Sequence, residues 1–504
     1  RRNGQRLHGE ITAFVSEHGM LPLVTSLRTM TGTKVTLQLL RLLNALLDGG
    51  GPSVCETACL LGVIPPALRF VENQYPPRTR LQAARFTHLM CTRAGAFTLQ
   101  MFVACQGLPA VVILLADAAN GRELVLLAVD AIKAVLDMRG RSPRNDLCRT
   151  LVDLDILQLL VDAMHEIAPH HKGHADKCAE IFLLFSCADP VVKARMATGR
   201  AGGRVLHGLM RVLSSPENFE SALTLKVLRC VKHLCMGEAA HMDELQKARA
   251  VPHLVALLRV KQGGGRLEAE MRNQCVNALY LLCQISRSRQ EEAALHGVLP
   301  LLQEIIRQRS PLKEFALPIV CDIAKASKVA RVQLKKQAAV EFYLDLLSTP
   351  YWQEKALDAL LVWLQDEAAY VNRFMVAAHG VAQLQAVIDA PSAASFANML
   401  EPLRTIVRTS TPVNKALGQI QPGQGCSPFV RSLVGRLEHR SAIVRRMLLE
   451  ILTSIYEKHA SPKQLVEKHR LKPVLANIKE HDPVVIPREI ARNLYSSFQI
   501  HDIL

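Results

Sequence analysis

Between Gln290 and Lys328 apolar residues return every three or four positions, the spacing of one face of an α-helix. The stretch divides into three helical segments: Glu291–Leu295, Leu301–Ile306 and Leu312–Ala326. A Gly-Val-Leu-Pro corner, Gly297 to Pro300, joins the first two, and Ser310-Pro311 opens the third. Gly just past one helix and Pro early in the next is the expected asymmetry of helix ends. The corner returns along the chain at Gly19, Gly62, Gly107, Asp155, Gly203, Ala250, Gly297, Ala339, Gly380, Gly425 and Arg470, in steps of 41 to 48 residues. Asp155, Ala250, Ala339 and Arg470 depart from the Gly-Pro form and are assigned by phase.

Two short helices, a corner and a longer third helix at a period of roughly 40–47 residues are the mark of armadillo or HEAT units. The fold expected is all-α: an armadillo/HEAT-type right-handed superhelical solenoid of about eleven repeats. It forms a single repeat domain over residues 1–504, with a kink or loop at 409–428. A repeat array escapes the usual limit on domain size because its core grows along an axis. The hydrophobic fraction of 49% with 5% aromatics suits packed Leu-, Ala- and Val-rich helices, and no stretch alternates as a strand would. Shorter expectations are a loop at Asp48–Pro52, another at Lys261–Gly265, a helix over Leu437–His459 carrying the basic pair Arg445-Arg446, and a closing helix within His481–Phe498.

Charge narrows the partners. A net charge of +16 favours nucleic acid, an anionic membrane, or an acidic or phosphorylated protein, set against the plainer reading of a basic but uninvolved surface. The thirteen Cys have no CxxC spacing and read as small buried hydrophobes of a reducing compartment. No apolar run reaches transmembrane length and no signal peptide is evident. The chain opens on Arg1-Arg2 without Met, which reads as a piece of a longer protein.

Catalytic signatures are missing. There is no nucleophile elbow, zincin helix, dinucleotide fingerprint, Walker loop or protein-kinase set in a supporting context. Asp48–Pro52 lacks the Gly-Lys-Ser/Thr ending of a phosphate cradle. Four His between His165 and His174 invite a metal, yet they sit with Pro and Gly and without Cys, so a solvated connector is the reading preferred. No cofactor is expected.

A solenoid without catalytic residues acts through its long surfaces. In peptide-binding armadillo arrays such as the importins, Asn on successive third helices clamps an extended peptide. Aligning the third helices puts Asn44, His88, Lys133, His233 and Gln284 near that place, and only Asn44 matches. Lys133, Arg229 and Lys232, joined by Arg141, Arg144 and Arg149, would instead make an acid-seeking face, since Arg pairs carboxylate and phosphate bidentately. Solvated outer faces of amphipathic helices are the alternative for each residue. Ser142-Pro143 would cap a helix there. Nucleic acid is disfavoured because stacking aromatics do not interleave with the basic runs.

Several strings are more specific than the repeat: FTLQMFVACQGLP (Phe97–Pro109), RSPRNDLCR (Arg141–Arg149), SRQEEAALHGVLPLLQ (Ser288–Gln303), PLKEFALPIVCDIA (Pro311–Ala324), PYWQEKALDALLVWLQDE (Pro350–Glu367) and NMLEPL (Asn398–Leu403). They resemble the region downstream of the kinase domain in fungal septation-initiation and mitotic-exit network kinases, and plant MAP-kinase-kinase-kinase epsilon kinases look similar. The resemblance implies a non-catalytic regulatory and targeting module whose kinase domain lies upstream of Arg1. It implies recruitment to the spindle pole body and septum region by a Ras-like small GTPase and a phosphorylated scaffold protein. It supplies no binding motif residue by residue. A generic armadillo adaptor for acidic peptides and an anionic-membrane-binding solenoid remain as alternatives, and pairing of two copies stays open.

Overall fold

The computed structural model describes residues 2–29, 32–117, 121–137, 144–260, 265–308, 310–349, 352–389, 396–420 and 425–503. They are helical, with no strand among them. The chain forms two compact units, Arg1–Leu282 and Cys283–Leu504. Each is an all-α solenoid of the armadillo type, with six repeats in the first and five in the second.

In the first unit the long third helices are the front part of Thr33–Leu60, then Pro77–Thr92, Arg122–Leu136, Lys172–Cys187, Ser221–Cys235 and Arg266–Cys283. In the second they are Lys313–Ala326, Gln353–Asp366, Phe396–Thr409, Ala442–Lys458 and Val485–Ile503. Within the first unit Pro77–Thr92 lies against both Thr33–Leu60 and Arg122–Leu136; within the second each third helix lies against the next. That stacking buries the apolar stripe the sequence repeats: Ala128, Ile132, Phe182, Leu228 and Val231 in one unit, Ile319, Trp363, Leu403 and Leu452 in the other, are all at most 2% exposed. A repeat has no core of its own and is stable only against a neighbour.

The corner has a stereochemical cause. The residue between the first two helices adopts a left-handed backbone: φ is 68° at Gly19, 74° at Gly62 and Gly297, and 66° at Gly425. Elsewhere a residue with a side chain holds the same conformation: Gln106 (65°), Asp155 (56°), Arg249 (59°), Ala338 (49°) and Arg470 (49°). Asp155 and Arg470 are the expected positions, while Gln106, Arg249 and Ala338 precede the expected Gly107, Ala250 and Ala339 by one. The repeats marked by Gly203 and Gly380 turn without a left-handed residue. There glycine serves close approach: a Cβ on Gly202 would lie 2.4 Å from the Ala197 carbonyl oxygen, and one on Gly380 2.3 Å from that of Phe374. Gly203 itself faces open space, so the crowded residue is its neighbour.

Three expected loops differ. Helix continues through Asp48–Pro52, bent at Gly51 (φ 65°, ψ −157°), so Thr33–Leu60 holds the third helix of one repeat and the first of the next. The expected loop over Thr409–Pro428 contains the helix Thr411–Gly418, with the Ser410 hydroxyl accepting from the Val413 amide at 3.2 Å; residues 421–424 are outside the described set. The His-rich connector shrinks to residues 168–171, because His165 lies in the last turn of one helix and His174 in the next helix. Arg141, the Ser142-Pro143 cap and most of the Lys261–Gly265 loop lie outside the described residues.

Buried cations fasten the turns. Arg80 pairs with Asp117 and donates from Nε to the Val71 carbonyl at 2.9 Å. Arg445 pairs with Asp482 and donates to the His439 carbonyl at 2.7 Å. Each Arg is the fourth residue of a third helix, and each Asp follows the second helix of the next repeat, so the same fastening recurs in both units.

Eleven of the thirteen Cys are buried, Cys105 is half-buried and Cys187 is exposed. Burial pushes the thiols of Cys55 and Cys148 up to about 11, and those of Cys230, Cys275, Cys283 and Cys321 to about 12. Those six are core groups without nucleophilic character at neutral pH.

Candidate partner-binding face

In the first unit the third helices carry a ladder of ion pairs, each joining residues about one repeat apart. Arg85 meets Glu123 at 2.7 Å, Lys133 meets Glu180 at 3.3 Å, Lys226 meets Asp176 at 2.5 Å and Arg229 meets Glu270 at 3.1 Å. Asp130 stands at the centre, 2.5 Å from Lys177 Nζ, 3.5 Å from His88 Nε2 and 3.4 Å from His174 Nε2. Partial burial would raise its carboxyl, but the hydrogen bonds from His88 and Lys177 and the nearby charges prevail and hold it well below the usual carboxylate range. Glu270 is also lowered, first by its hydrogen bond from Gln274 and then by Arg229. Most positive charge on this face therefore answers a carboxylate of the adjoining repeat.

The expected binding residues fall into distinct places. Asn44 is buried and donates to the Gln82 carbonyl at 2.9 Å and to Gln82 Oε1 at 3.1 Å, which ties two third helices together. Lys133, its side chain 14% exposed, is held by Asp137 and Glu180. Arg144 and Arg149 sit on the first helix Arg144–Asp153. Arg144 donates to the Leu136 carbonyl at 3.2 Å, and Arg149 pairs with Asp146 at 3.2 Å and with Asp189 at 2.5 Å. Arg229, Lys232 and His233 share the helix Ser221–Cys235. Burial first, then Lys232, Lys193 and Arg229, hold His233 below the usual imidazole range, so its ring is neutral at pH 7. Its Nδ1 lies 3.1 Å from Ser186 Oγ and 3.2 Å from Cys187 Sγ. Gln284, in the second unit, is exposed in the bend before helix Arg287–Leu295.

The sequence reading missed a second basic set. Arg200, Arg204, His207 and Arg211 line an open cleft of about 600 Å³ between the second helices Ile156–Ile167 and Gly202–Ser214 of the first unit. Arg204, His207 and Arg211 are spaced three and four apart, a signal visible in the chain but hidden by attention to third helices.

Among the described residues no group of three or more His, Cys, Asp or Glu could hold a metal ion. None of their helices is singly long and apolar enough to cross a membrane.

The fold and this face define a class: an armadillo-type repeat chain with a charge-lined surface and buried polar fastenings between repeats. No protein-family model matches the chain. It is 36% identical to the cytokinesis protein sepH of Emericella nidulans over 97% of this chain and 36% of that protein. It is 28% identical to cell division control protein 7 of Schizosaccharomyces pombe over 97% and 45%, and 24% identical to MAP3K epsilon protein kinase 1 of Brassica napus over 97% and 53%. Over nearly its whole length the chain is therefore similar to these fungal cytokinesis and cell-division proteins and to plant MAP3K epsilon kinases. It spans about a third to a half of the length of these relatives. Among solved structures, a chain from a structure concerned with the interaction between cadherin and beta-catenin aligns with a TM-score of 0.49 and 14% identity over 95% of this chain and 99% of its own.

Proposed function

We propose that this chain is the regulatory and targeting part of a septation or mitotic-exit kinase, and that it contributes no catalysis of its own. Its task is to hold protein partners: a Ras-like small GTPase, a phosphorylated scaffold protein of the spindle pole body, or both. The reading takes residues 1–504 as one repeat domain acting at the spindle pole and septum.

The observation that carries the proposal is the near full-length match of the chain to a cytokinesis protein, joined to a fold whose conspicuous chemistry is charge on repeated helices. Among the expected cations, Arg144 and Arg149 are exposed and Arg229 and Lys232 half-buried, open enough to meet a partner. Asn44 and Lys133 serve cohesion, and His233 is a neutral neighbour.

Binding of GTP-loaded and GDP-loaded GTPase, and of phosphorylated and unphosphorylated scaffold, to the whole chain tests the proposal. The combined variant Arg149→Glu, Arg229→Glu, Lys232→Glu loses affinity if these residues form the site, and unaltered affinity removes them from it. Turnover in a phosphotransfer assay on this chain alone would contradict the non-catalytic role.

A further inference from the structure

We propose that the cleft between the second helices of the fourth and fifth repeats is a separate docking site for a phosphorylated segment of a protein. It extends the reading above and rests on it only in taking a protein as occupant.

The floor comes first. Helix Gly202–Ser214 approaches helix Ile156–Ile167 closely because Gly208 has no side chain; a Cβ there would lie 2.2 Å from Val161 Cγ1. His165 closes the contact, its Nε2 2.9 Å from the Gly208 carbonyl oxygen. Burial holds His165 below the usual imidazole range and Arg211 adds to the effect, so the ring is neutral and donates to that carbonyl as its Nε2–H tautomer. The two helices are thereby locked as a rigid base.

The walls are basic. Arg204, His207 and Arg211 follow one another up one face of helix Gly202–Ser214, and Arg200 stands just before it. Arg200, Arg204 and Arg211 are exposed. Among the described residues no carboxylate reaches ion-pair distance of any of the three, unlike the paired cations of the third-helix ladder. Asp162, the acidic residue of the lining, already accepts from Gln158 Nε2 at 2.8 Å. Three unanswered guanidinium groups beside one engaged carboxylate leave the cleft with an excess of positive charge.

The occupant follows from charge and shape. Guanidinium forks recognise phosphate through paired N–H···O bonds, and a dianion can draw on more than one fork. The volume suits a side chain with its flanking backbone. No Phe, Tyr or Trp lines the cleft to stack a nucleobase. It is concave and lacks an exposed apolar group to enter a bilayer, which disfavours a lipid surface.

Fluorescence anisotropy with the whole chain and an array of labelled peptides, each in phosphoserine and serine form, tests this. Phosphorylated members are expected to bind about tenfold tighter or better, with the preference abolished by Arg204→Glu together with Arg211→Glu and kept in the exposed-site control Lys415→Glu. Absence of any phosphate preference, or a preference that survives the double variant, overturns the proposal. Binding of RNA or phosphatidylserine vesicles that the double variant abolishes, without a peptide preference, also overturns it. Should the double variant fail to fold by circular dichroism, Arg204→Gln with Arg211→Gln reads the same contrast. GTPase capture that persists in the Arg204→Glu, Arg211→Glu chain after the phosphopeptide preference is lost separates this site from the third-helix face.

Discussion

Arg445 grips Asp482 through two parallel bonds, Nε to Oδ2 at 2.7 Å and Nη2 to Oδ1 at 2.8 Å, with the side chains only 9% and 3% exposed. A pair this dry is costly to break from one side, because the survivor is a buried charge without a partner. Arg445→Ala or Asp482→Ala is expected to lower stability by about 3–5 kcal/mol in denaturant titration. A loss below about 1 kcal/mol would place the pair with ordinary surface ion pairs.

Acid should act through named groups. His469 accepts a hydrogen bond from the Ser427 amide at 3.0 Å, and its pKa is lowered to about 4 by burial first, then by Arg431 and His459. The unfolded chain binds the proton near 6.5, the folded chain only near 4. The neutral ring's contribution is therefore complete above about pH 6.5 and falls as pH drops towards 4. His469→Gln should flatten the dependence of unfolding free energy on pH across that window. Asp130 and Asp482 are lowered carboxylates: their contributions are complete above about pH 4 and are lost at lower pH, as the folded state is forced to take the proton. An unchanged slope in His469→Gln would contradict the assignment.

The corners give paired predictions of opposite sign. Gly19 has φ 68°, and a Cβ there would meet nothing within 4 Å, so Gly19→Ala should cost about 1 kcal/mol through the backbone alone. Ala338, at φ 49°, already bears that strain, so Ala338→Gly should gain about 0.5–1 kcal/mol after the entropy of the freer unfolded chain is deducted. Thermal unfolding of the two variants against the parent checks both signs.

Cys187 is the exposed thiol among the described cysteines. Brief maleimide treatment of the native chain is expected to label Cys187 first and Cys105 slowly. Rapid labelling of Cys230 or Cys275 would contradict their burial.

Much of the fold could be read from the chain because one steric requirement recurs at a fixed period. The same left-handed turn placed Asp155 and Arg470 by phase alone, although neither is glycine. The bend at Gly51 was hidden because Gly-Gly-Gly-Pro reads locally as a breaker, while packing on both sides keeps the helix going. The site was less legible. Charge type is visible in a sequence; the carboxylate that answers it a repeat away is not. Lys133 and Arg229 read as open cations and have partners at Glu180 and Glu270. Arg445 read only as half of a basic pair on a helix and is a buried fastening.

The central claim is that this chain serves by holding proteins. Titration of the purified whole chain with the GTP-loaded GTPase and with the phosphorylated scaffold, by isothermal calorimetry, tests it most directly. Saturable binding of at least one of them, weakened in the Arg149→Glu, Arg229→Glu, Lys232→Glu chain, is the expected result. Absence of binding to both, by a chain whose circular dichroism shows it folded and helical, would contradict the account.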